Sequence, residues 1–443
     1  MATLCVLVAT MIERPPTVAV PAGSQAIVAA EPAPASSAQP TADGGGRTVV
    51  VWISVDGMRG DYVDSKQLPF FARLMKSGAY SRKLLPVFPP LTFPAHVSQA
   101  TGASVNRHGI IANSLYDLRN DRQWRYPNVA SEILCEPIWT TAKRQGRRVL
   151  VYDWPVSQQQ TGANRADYFD QSFDTRLSDQ QRLDRLIDTW SSDQNEEPLQ
   201  LLMGYVSAPD KAGHKYGPNA AETKAAVQAV DGLLANFVER CEQVFSQKMK
   251  DTDRLIFLLS TDHGMEEVKV LLNLQLMCGS AWNDELRLLP GASVAHVFLE
   301  RLGPPPVRKV HVEALLEKLK AYPFAHAYAR ENLPEEWAYH HPTRTGDVVV
   351  SLDAGYMFSE KKGPLRQEID ATRGPLGMHG YPVERSANMR GFLAIWQAGK
   401  SLGGQDLGEI DSRRLHATVA KWLGIEPAEG AVRDVVEIKA EPL

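Results

Sequence analysis

Short apolar runs alternate with longer helix-like patterns along most of this 443-residue chain. The first run, at residues 48–55, reads TVVVWISV, and similar runs lie at 148–152, 199–206, 255–260 and 347–352. A continuous run of β-branched and apolar residues is typical of a strand that is buried on both faces of a parallel sheet. Helical patterns separate the runs at 64–76, 139–145, 220–244 and 412–423. The alternation predicts crossover units and a layered α/β/α fold around a central, mostly parallel sheet.

Two parts of the chain depart from this alternating pattern, an N-terminal segment and an internal insertion. Residues 1–47 join an apolar run at 2–12 to a stretch rich in Ala, Pro, Ser and Gly. We interpret this segment as a flexible linker preceded either by a signal remnant or by a plain disordered leader. A signal would give a periplasmic, envelope-associated or secreted protein, and the other interpretation leaves the cytoplasm open. Residues 48–443 are predicted to be one domain, with an insertion or cap at about 265–345, where proline-rich segments break the alternation.

Charge and cysteine content exclude several classes of protein. Lys and Arg total 48 against 52 Asp and Glu, a formal net charge of -4, so neither a stable nucleic-acid groove nor a basic membrane patch is expected. No stretch is long and apolar enough for a transmembrane segment. The 4 cysteines form no C-x-x-C pair, so a metal would have to be held by histidines and carboxylates. The sequence carries no signal for an oligomeric state.

Three aspartates follow predicted strands closely: Asp56, Asp210 and Asp262. In α/β sheets, ligands bind beyond the carboxyl ends of the strands. His263 is adjacent to Asp262, and His214 follows Asp210 by four residues in a segment whose flanking prolines and glycines favour a loop over a helix. We therefore expect these carboxylates and imidazoles to meet at one edge of the sheet.

Two further residues complete the candidate set. Thr92 lies between prolines just before a helix predicted at 94–101, where it could be an ordinary helix cap or a nucleophile beside backbone N–H groups. His379 lies between glycines, which allow close approach of the backbone. Three aspartates, three histidines and one threonine form the ligand inventory of a two-metal phosphoryl-transfer site.

Seven motifs in order make the sequence resemble the type I phosphodiesterase/nucleotide pyrophosphatase family of the alkaline phosphatase superfamily. They are V-D-G-M-R at Asp56, T-F-P-A-H at Thr92, H-G-I-I-A-N ending at Asn113, E-P-I-W at Glu136, P-D-x-x-G-H-K-Y-G-P at Asp210, T-D-H-G-M at Asp262 and M-H-G-Y at His379. The resemblance implies an alkaline-phosphatase-like fold and hydrolysis of phosphodiester or nucleotide pyrophosphate bonds in small molecules. It also implies two Zn²⁺ ions and a phospho-threonine intermediate on Thr92.

The resemblance also assigns roles to individual residues. One zinc would be held by Asp56, Thr92, Asp262 and His263, and the second by Asp210, His214 and His379. Asn113 would donate a hydrogen bond to a phosphoryl oxygen, together with the backbone N–H of Thr92 or Phe93. Phe93 would line the pocket beside the nucleophile, and Tyr168 would face it across a bound nucleobase.

Three other functions stay open at this point. A phosphomonoesterase or a phosphonate hydrolase of the same superfamily would use ligands of the same types, and an inactive zinc-stabilised binding domain would keep the metals alone. Two Zn²⁺ ions and three carboxylates leave one positive charge, which the Thr92 alkoxide cancels. This balance favours a diester monoanion over a monoester dianion.

Overall fold

The structure is a computed structural model that describes residues 46–439 apart from 65, 127, 280, 281, 283, 284, 370, 371 and 373. The expected leader and linker therefore lie outside the described residues except for residues 46 and 47. The strands are β1 (Thr48–Val55), β2 (Ala79–Leu85), β3 (Ser114–Asp117), β4 (Arg122–Arg125), β5 (Arg148–Val151), β6 (Tyr168–Phe169), β7 (Leu199–Val206), β8 (Arg254–Ser260), β9 (Glu266–Leu272), β10 (Arg287–Gly291), β11 (Val294–Phe298), β12 (Ala325–Ala329), β13 (Val348–Leu352), β14 (Gly355–Phe358), β15 (Arg366–Glu368), β16 (Gly377–Met378), β17 (Gly391–Gln397), β18 (Gln405–Asp406) and β19 (Glu409–Asp411).

Among the described residues ten α-helices lie between or after these strands, and five of them fall at the helical patterns predicted from the sequence. They are α1 (Pro69–Ser77), α2 (Thr92–Thr101), α3 (Val105–His108), α4 (Ile138–Arg144), α5 (Asp179–Ser192), α6 (Asp210–Tyr216), α7 (Ala221–Lys248), α8 (Leu274–Cys278), α9 (Pro305–Leu319) and α10 (Arg414–Leu423). None of the helices in the described part of the chain combines the length and apolar character that crossing a bilayer requires.

The central sheet has the strand order β18-β2-β17-β8-β1-β7-β5-β6, and β19 also pairs with β2. Strand β17 runs antiparallel to both of its neighbours. The other neighbouring strands pair in parallel. The prediction of a central, mostly parallel sheet is thus confirmed. Strands β8, β1 and β7 lie side by side, so their carboxyl ends share one edge of the sheet.

The fully buried strand β1 shows why the fold has three layers. Successive side chains of a strand point to opposite faces of the sheet. Val49, Val51 and Ile53 pack into a core with α1, α5 and α7. Val50 and Trp52 pack into a second core with α4 and α10. An apolar run without alternation therefore binds helices on both faces and gives the α/β/α arrangement.

Between β8 and β17 the chain leaves the central sheet and forms two smaller ones. One is antiparallel with the order β10-β11-β13-β12, and the other pairs β14, β15 and β16 with β9. Leu315 and Leu319 of α9 close the core of this region. The insertion expected at about 265–345 falls inside this stretch, which continues to Met378 at the end of β16.

The run expected as a strand at 347–352 belongs to a small sheet and not to the central one. It forms β13, which is buried throughout and pairs antiparallel with β11 and β12. A continuous apolar run reports burial on both faces, and it does not report which sheet the strand joins. The prediction that the run at 347–352 joins the central parallel sheet is therefore wrong.

Candidate metal centre

The three aspartates meet just beyond the carboxyl edge of the central sheet. Asp56 follows β1 directly and its backbone N–H donates to the Val206 carbonyl at 2.9 Å. The Asp210 N–H donates in turn to the Asp56 carbonyl at 3.2 Å. Asp262 follows the end of β8 and reaches the same point, because β8 is the other parallel neighbour of β1.

Asp56, Asp262 and His263 form the first ligand group, in which one ligand atom of each residue lies within 4.8 Å of the others. Asp262 Oδ1 accepts hydrogen bonds from the Gly57 N–H at 3.0 Å and the His263 N–H at 2.9 Å. Asp262 Oδ2 then lies 3.0 Å from His263 Nε2. Thr92 Oγ1 is 3.3 Å from the same nitrogen, so the candidate nucleophile belongs to this side of the site.

Asp210, His214 and His379 form the second ligand group, under the same 4.8 Å limit. Asp210 Oδ1 lies 3.3 Å from His214 Nε2 and 3.9 Å from His379 Nε2. The rings of His379 and His263 stack with centroids 3.5 Å apart, which places the two groups next to each other. The structure thus brings these candidate residues together in the two sets that the family resemblance implies.

Asp210 and His214 lie on a helix, which corrects the expectation of a loop. They are the first and fifth residues of α6. Pro209 stands just before that helix, where its missing N–H removes no helical hydrogen bond, and Gly217 ends it with a φ of 94°. Residues four apart share one face of a helix, so α6 turns both side chains towards the same centre.

The oxygen atoms of this site fit metal ions better than they fit protein partners. Asp56 Oδ1, Asp210 Oδ1 and Asp262 Oδ2 are buried side-chain atoms without a protein hydrogen-bond partner. A buried carboxylate oxygen without a partner costs free energy unless a cation compensates it. Each aspartate therefore presents one oxygen that is suited to ligation.

The histidines are oriented to complement those oxygens. Nδ1 lies 2.9 Å from the Gly264 carbonyl in His263, 2.8 Å from the Gly377 carbonyl in His214 and 2.9 Å from the Pro90 carbonyl in His379. A carbonyl only accepts, so Nδ1 carries the proton and the lone pair of the neutral ring is on Nε2. This is the arrangement in which a histidine binds a divalent metal through Nε2. The donor set fits two such ions.

Burial and charge shift the pKa values across the site. Burial, together with the nearby Asp262 and Asp210, raises the pKa of the Asp56 carboxyl well above its usual range. Burial lowers the pKa of His214, but the Asp210 carboxylate outweighs it and brings that pKa up to about 9. Burial and the adjacent His263 lower the pKa of His379 to about 3. In the metal-free protein, a proton on His214 therefore occupies the position that a metal would take.

Two buried residues that sequence reasoning missed hold this arrangement in place. The Tyr205 hydroxyl donates to Asp56 Oδ2 at 2.5 Å and leaves Oδ1 for ligation. His96 Nδ1 lies 2.7 Å from the Thr92 carbonyl, and its Nε2 lies 2.8 Å from Ser54 Oγ. The motif T-F-P-A-H was a signal from which His96 could have been found, since it places this residue one helical turn after Thr92. Tyr205 lies inside an apolar strand and had no such signal.

Asn113 and Phe93 lie beside Thr92 as expected, and the structure distinguishes the two backbone donors that the resemblance left open. The Phe93 N–H already donates to Asn113 Oδ1 at 3.1 Å. This bond identifies the oxygen end of the Asn113 amide and leaves Nδ2 as the end that could donate to a substrate. Of the two backbone donors considered, the Phe93 N–H is thus committed to Asn113, and the Thr92 N–H is the better candidate.

Tyr168 is not brought to Phe93, contrary to expectation. Its hydroxyl donates to Asp193 at 2.9 Å, and Asp193 also binds Arg148 at the first residue of β5. That contact lies at the amino end of the strand, whereas the ligand groups lie beyond the carboxyl ends of β1, β7 and β8. Among the described residues, Tyr126 is the aromatic residue whose ring contacts Phe93, edge to face with centroids 5.6 Å apart.

A cavity of about 320 Å³ opens beside the second ligand group. Its lining includes His214 and His379 of that group, and Asn113 and Tyr126, which flank the β3–β4 hairpin. The segment after β14 contributes Glu360 and Lys361. A substrate at the ligand groups would therefore extend along residues of the hairpin and of the segment after β14.

The architecture defines an α/β protein of alkaline-phosphatase-like fold with metal-ligand candidates at the carboxyl edge of its central sheet. Mouse ectonucleotide pyrophosphatase/phosphodiesterase 5, in an inactive variant in complex with AMP, has the same fold, with a TM-score of 0.71 at 21% identity over 86% of this chain and 96% of that one. More particularly, the chain belongs to the type I phosphodiesterase / nucleotide pyrophosphatase family, whose model matches residues 50–382.

Two relatives illustrate this similarity. An uncharacterized pyrophosphatase/phosphodiesterase of Schizosaccharomyces pombe is 27% identical over 422 residues, which cover 89% of this chain and 81% of the relative. A bis(5'-adenosyl)-triphosphatase of Mus musculus is 28% identical over 350 residues, which cover 77% of this chain and 70% of the relative. The family and these relatives identify the chain as a hydrolase of the pyrophosphatase/phosphodiesterase kind.

Proposed function

We propose that this protein hydrolyses small phosphodiesters or nucleotide pyrophosphates with the help of two zinc ions, through a phosphorylated Thr92. One observation carries the proposal. Three buried carboxylate oxygens without protein partners face three imidazole Nε2 atoms, and the Thr92 hydroxyl stands at the edge of that group. A closed structural metal site would not need a hydroxyl in that position.

Asp56, Asp262, His263 and Thr92 would hold the first ion, and Asp210, His214 and His379 the second. When bound, two divalent ions stabilise negative charge on the attacking and leaving oxygens of an in-line displacement. Zinc is the expected metal because the ligands are imidazoles and carboxylates.

Thr92 is placed to act as the nucleophile. It is the first residue of α2, where its own backbone N–H and the helix dipole favour negative charge. Its oxygen would bond to phosphorus as the leaving group departs, and water would then hydrolyse the phospho-threonine. Asn113 Nδ2 would donate to a non-bridging phosphoryl oxygen in both steps.

The aromatic pair of Phe93 and Tyr126 supports a nucleotide as the transferred group. The ring of Tyr126 is 60% exposed and stands edge to face against Phe93, at the rim of the cavity. A nucleobase could stack on either ring. The relative from mouse that is named a bis(5'-adenosyl)-triphosphatase, and the AMP in the structure of a family member, favour the same substrate class.

The test compares bis(4-nitrophenyl) phosphate, 4-nitrophenyl phosphate and a 4-nitrophenyl phosphonate ester, together with metal analysis of the purified protein. We expect two zinc ions per chain and preferred hydrolysis of the diester. Preferred hydrolysis of the monoester or the phosphonate would replace the proposal with one of those activities. Bound zinc without turnover of any substrate would indicate a binding domain.

Variants test the nucleophile separately. Thr92→Ala should abolish hydrolysis, whereas Thr140→Ala, at a half-buried threonine of α4, should leave it unchanged. Retained hydrolysis in Thr92→Ala would overturn the assignment of the nucleophile.

We also propose that the protein works outside the cytoplasm, in the periplasm, at the envelope or after secretion. The apolar run at 2–12 and the names of ectonucleotide relatives support this location. Fractionation of cells that express the full chain would test it, and recovery of all activity in the cytoplasmic fraction would contradict it.

A further inference from the structure

A short connection links β7 to the second ligand group. Strand β7 ends at Val206, and Asp210 is the first residue of α6, so residues 207–209 determine where that helix begins. Asp210 and His214 both lie on α6 and supply two of the three ligands of the group. A shift of the connection would therefore move both side chains together, whereas the third ligand, His379, follows β16 in another part of the chain.

The carboxylate of Asp179, at the start of α5, holds this connection. Its Oδ1 accepts hydrogen bonds from the Ser207 N–H and the Ser207 hydroxyl, both at 2.9 Å, and its Oδ2 accepts one from the Ala208 N–H at 3.1 Å. Hydrogen bonds to an ionised acceptor are stronger than those between neutral groups. The Asp179 side chain is 16% exposed, so water competes weakly for these bonds. A single side chain thus fixes two consecutive residues of the connection.

Helix α5 has a cap that does not involve Asp179. Ser178 precedes the helix, and its Oγ accepts from the Gln181 N–H at 3.2 Å. Gln181 Oε1 accepts in return from the Ser178 N–H at 2.9 Å, which completes a capping box. The hydrogen bonds described for the Asp179 carboxylate go instead to residues 207 and 208. Asp179 therefore serves the connection more than the end of its own helix.

A buried ion pair fixes the first turn of α5 to the segment after β5. The Arg182 side chain is buried, and its Nε lies 3.9 Å from Asp179 Oδ1. Its guanidinium pairs with Asp153, which lies two residues after the end of β5, and donates to the Asp174 carbonyl at 2.6 Å. A buried ion pair is costly to break, because one charge would remain without a partner. Asp179 is therefore a fixed point to which the connection is tied.

The first ligand group is positioned by other contacts. Asp56 follows the buried strand β1 directly, and Asp262 lies two residues after the end of β8. Asp262 Oδ1 accepts from the Gly57 and His263 N–H groups. Among the described contacts, Asp179 is not a partner in any of these. A change at Asp179 should therefore affect the two ligand groups unequally.

We infer that Asp179 is a positioning residue for the second metal ion, since it holds residues 207–209 so that Asp210 and His214 meet His379. This inference rests on the proposed function, which assigns one zinc ion to each ligand group. Loss of the Asp179 carboxylate should weaken binding of the second ion and spare the first. An outer partner of a metal ligand contributes about 10- to 100-fold to metal affinity, and Asp179 acts on two ligands through one connection.

Zinc titration of the metal-free protein against a chelator of known affinity tests this without any hydrolysis. The parent should bind two ions. Asp179→Ala should bind one ion within about twofold of the parent affinity and the other about 10- to 100-fold more weakly. Asp179→Asn keeps one acceptor oxygen and puts an NH2 donor in place of the other, so its loss should be intermediate. Asp179→Asn also carries the test if Asp179→Ala does not fold.

Two backgrounds identify the group that loses its ion. Asp262→Ala removes a ligand of the first group and leaves the second ion to be measured, whereas Asp210→Ala removes a ligand of the second group and leaves the first ion. Adding Asp179→Ala should weaken the remaining ion about 10- to 100-fold in the Asp262→Ala background. In the Asp210→Ala background the remaining ion should change by less than about twofold, as for a substitution without a contact to that group.

Ser178→Ala is the matched control for a loss of stability at α5. It removes the cap at the same end of the helix and should lower Tm. The described hydrogen bonds of the Ser178 side chain go to Gln181 and not to the connection, so both zinc affinities should stay within about twofold of the parent.

The outcomes separate this inference from the proposed function. If Asp179→Ala weakens both ions equally, or lowers Tm as Ser178→Ala does without changing either zinc affinity, the inference is overturned and the proposed function stands. If the parent binds fewer than two ions, the two-zinc proposal fails and the inference fails with it. If the parent binds two ions but hydrolyses no substrate, the proposed hydrolysis fails, while selective loss of the second ion in Asp179→Ala would still support the inference.

Discussion

Replacing Tyr205 by phenylalanine removes a single hydroxyl from behind the first ligand group. That hydroxyl is buried and donates to Asp56 Oδ2 at 2.5 Å. Phenylalanine keeps the ring and its packing, so the change isolates one hydrogen bond to a carboxylate. The bond also opposes the rise in the pKa of Asp56 that burial and the neighbouring aspartates cause.

The expected loss follows from the charge of the acceptor. A hydrogen bond to an ionised group contributes about 1.5–3 kcal/mol, or about 10- to 100-fold in an equilibrium constant. Loss of an outer partner of a metal ligand costs a similar factor in metal affinity. The loss should increase as pH falls, because without the Tyr205 bond the pKa of Asp56 rises further and protons compete better with the metal.

The assay is a zinc titration against a chelator of known affinity at two pH values, for the parent and the Tyr205→Phe variant. Tyr152→Phe is the matched control, because its hydroxyl lies 3.3 Å from Thr189 Oγ1, away from the ligand groups. An affinity within about twofold of the parent at both pH values would refute the reasoning, given the factor expected from an outer partner. A loss of hydrolysis in Tyr205→Phe without any loss of bound zinc would also refute the reasoning.

Three further predictions follow from the same geometry. Asn113→Ala should lower kcat by about 10²-fold, as for other donors to a developing oxyanion, with the zinc content unchanged; loss of zinc would show a structural role instead. Burial lowers the pKa of His214, but the Asp210 carboxylate has the larger, opposite effect and brings that pKa to about 9. The metal-free protein should therefore lose the stabilisation that the Asp210–His214 pair gives the folded state as pH rises from about 6.5 through 9. Zinc must displace that proton, so the increase in Tm on adding zinc should be larger at pH 9 than at pH 6.5, and an equal or smaller increase would contradict the assignment. Gly57→Ala should lower both Tm and zinc affinity, because Gly57 has a φ of 67° and a Cβ there would lie 2.8 Å from the Asp210 Cα; unchanged values for both would show that the backbone adapts.

The sequence was most informative where burial alone determines structure. The runs at 48–55 and 199–206 have the bounds of β1 and β7, since both strands are buried along nearly their whole length. The convergence of the three aspartates was predictable for a related reason, because the carboxyl ends of adjacent parallel strands share one edge. The division of the candidate ligands into two sets, with His379 after β16 in the second, followed from the family resemblance and not from strand geometry.

Other features depend on long-range contacts that a local pattern does not encode. The run that forms β13 is as apolar as a central strand, and only its partners β11 and β12 place it in the smaller sheet. Prolines and glycines around α6 suggested a loop, although they cap a short helix. Tyr126 has a φ of 49° and meets Phe93 across the fold, and nothing in the sequence around it signals that contact.

The central claim is that phosphoryl transfer passes through Thr92, and the stereochemical course at phosphorus tests it most directly. Two successive in-line displacements, first by Thr92 and then by water, invert phosphorus twice. Hydrolysis of a thiophosphate diester that is chiral at phosphorus, carried out in ¹⁸O-water, should therefore give a product with net retention of configuration. Net inversion would show that water attacks the substrate directly and would contradict the role of Thr92 as the nucleophile.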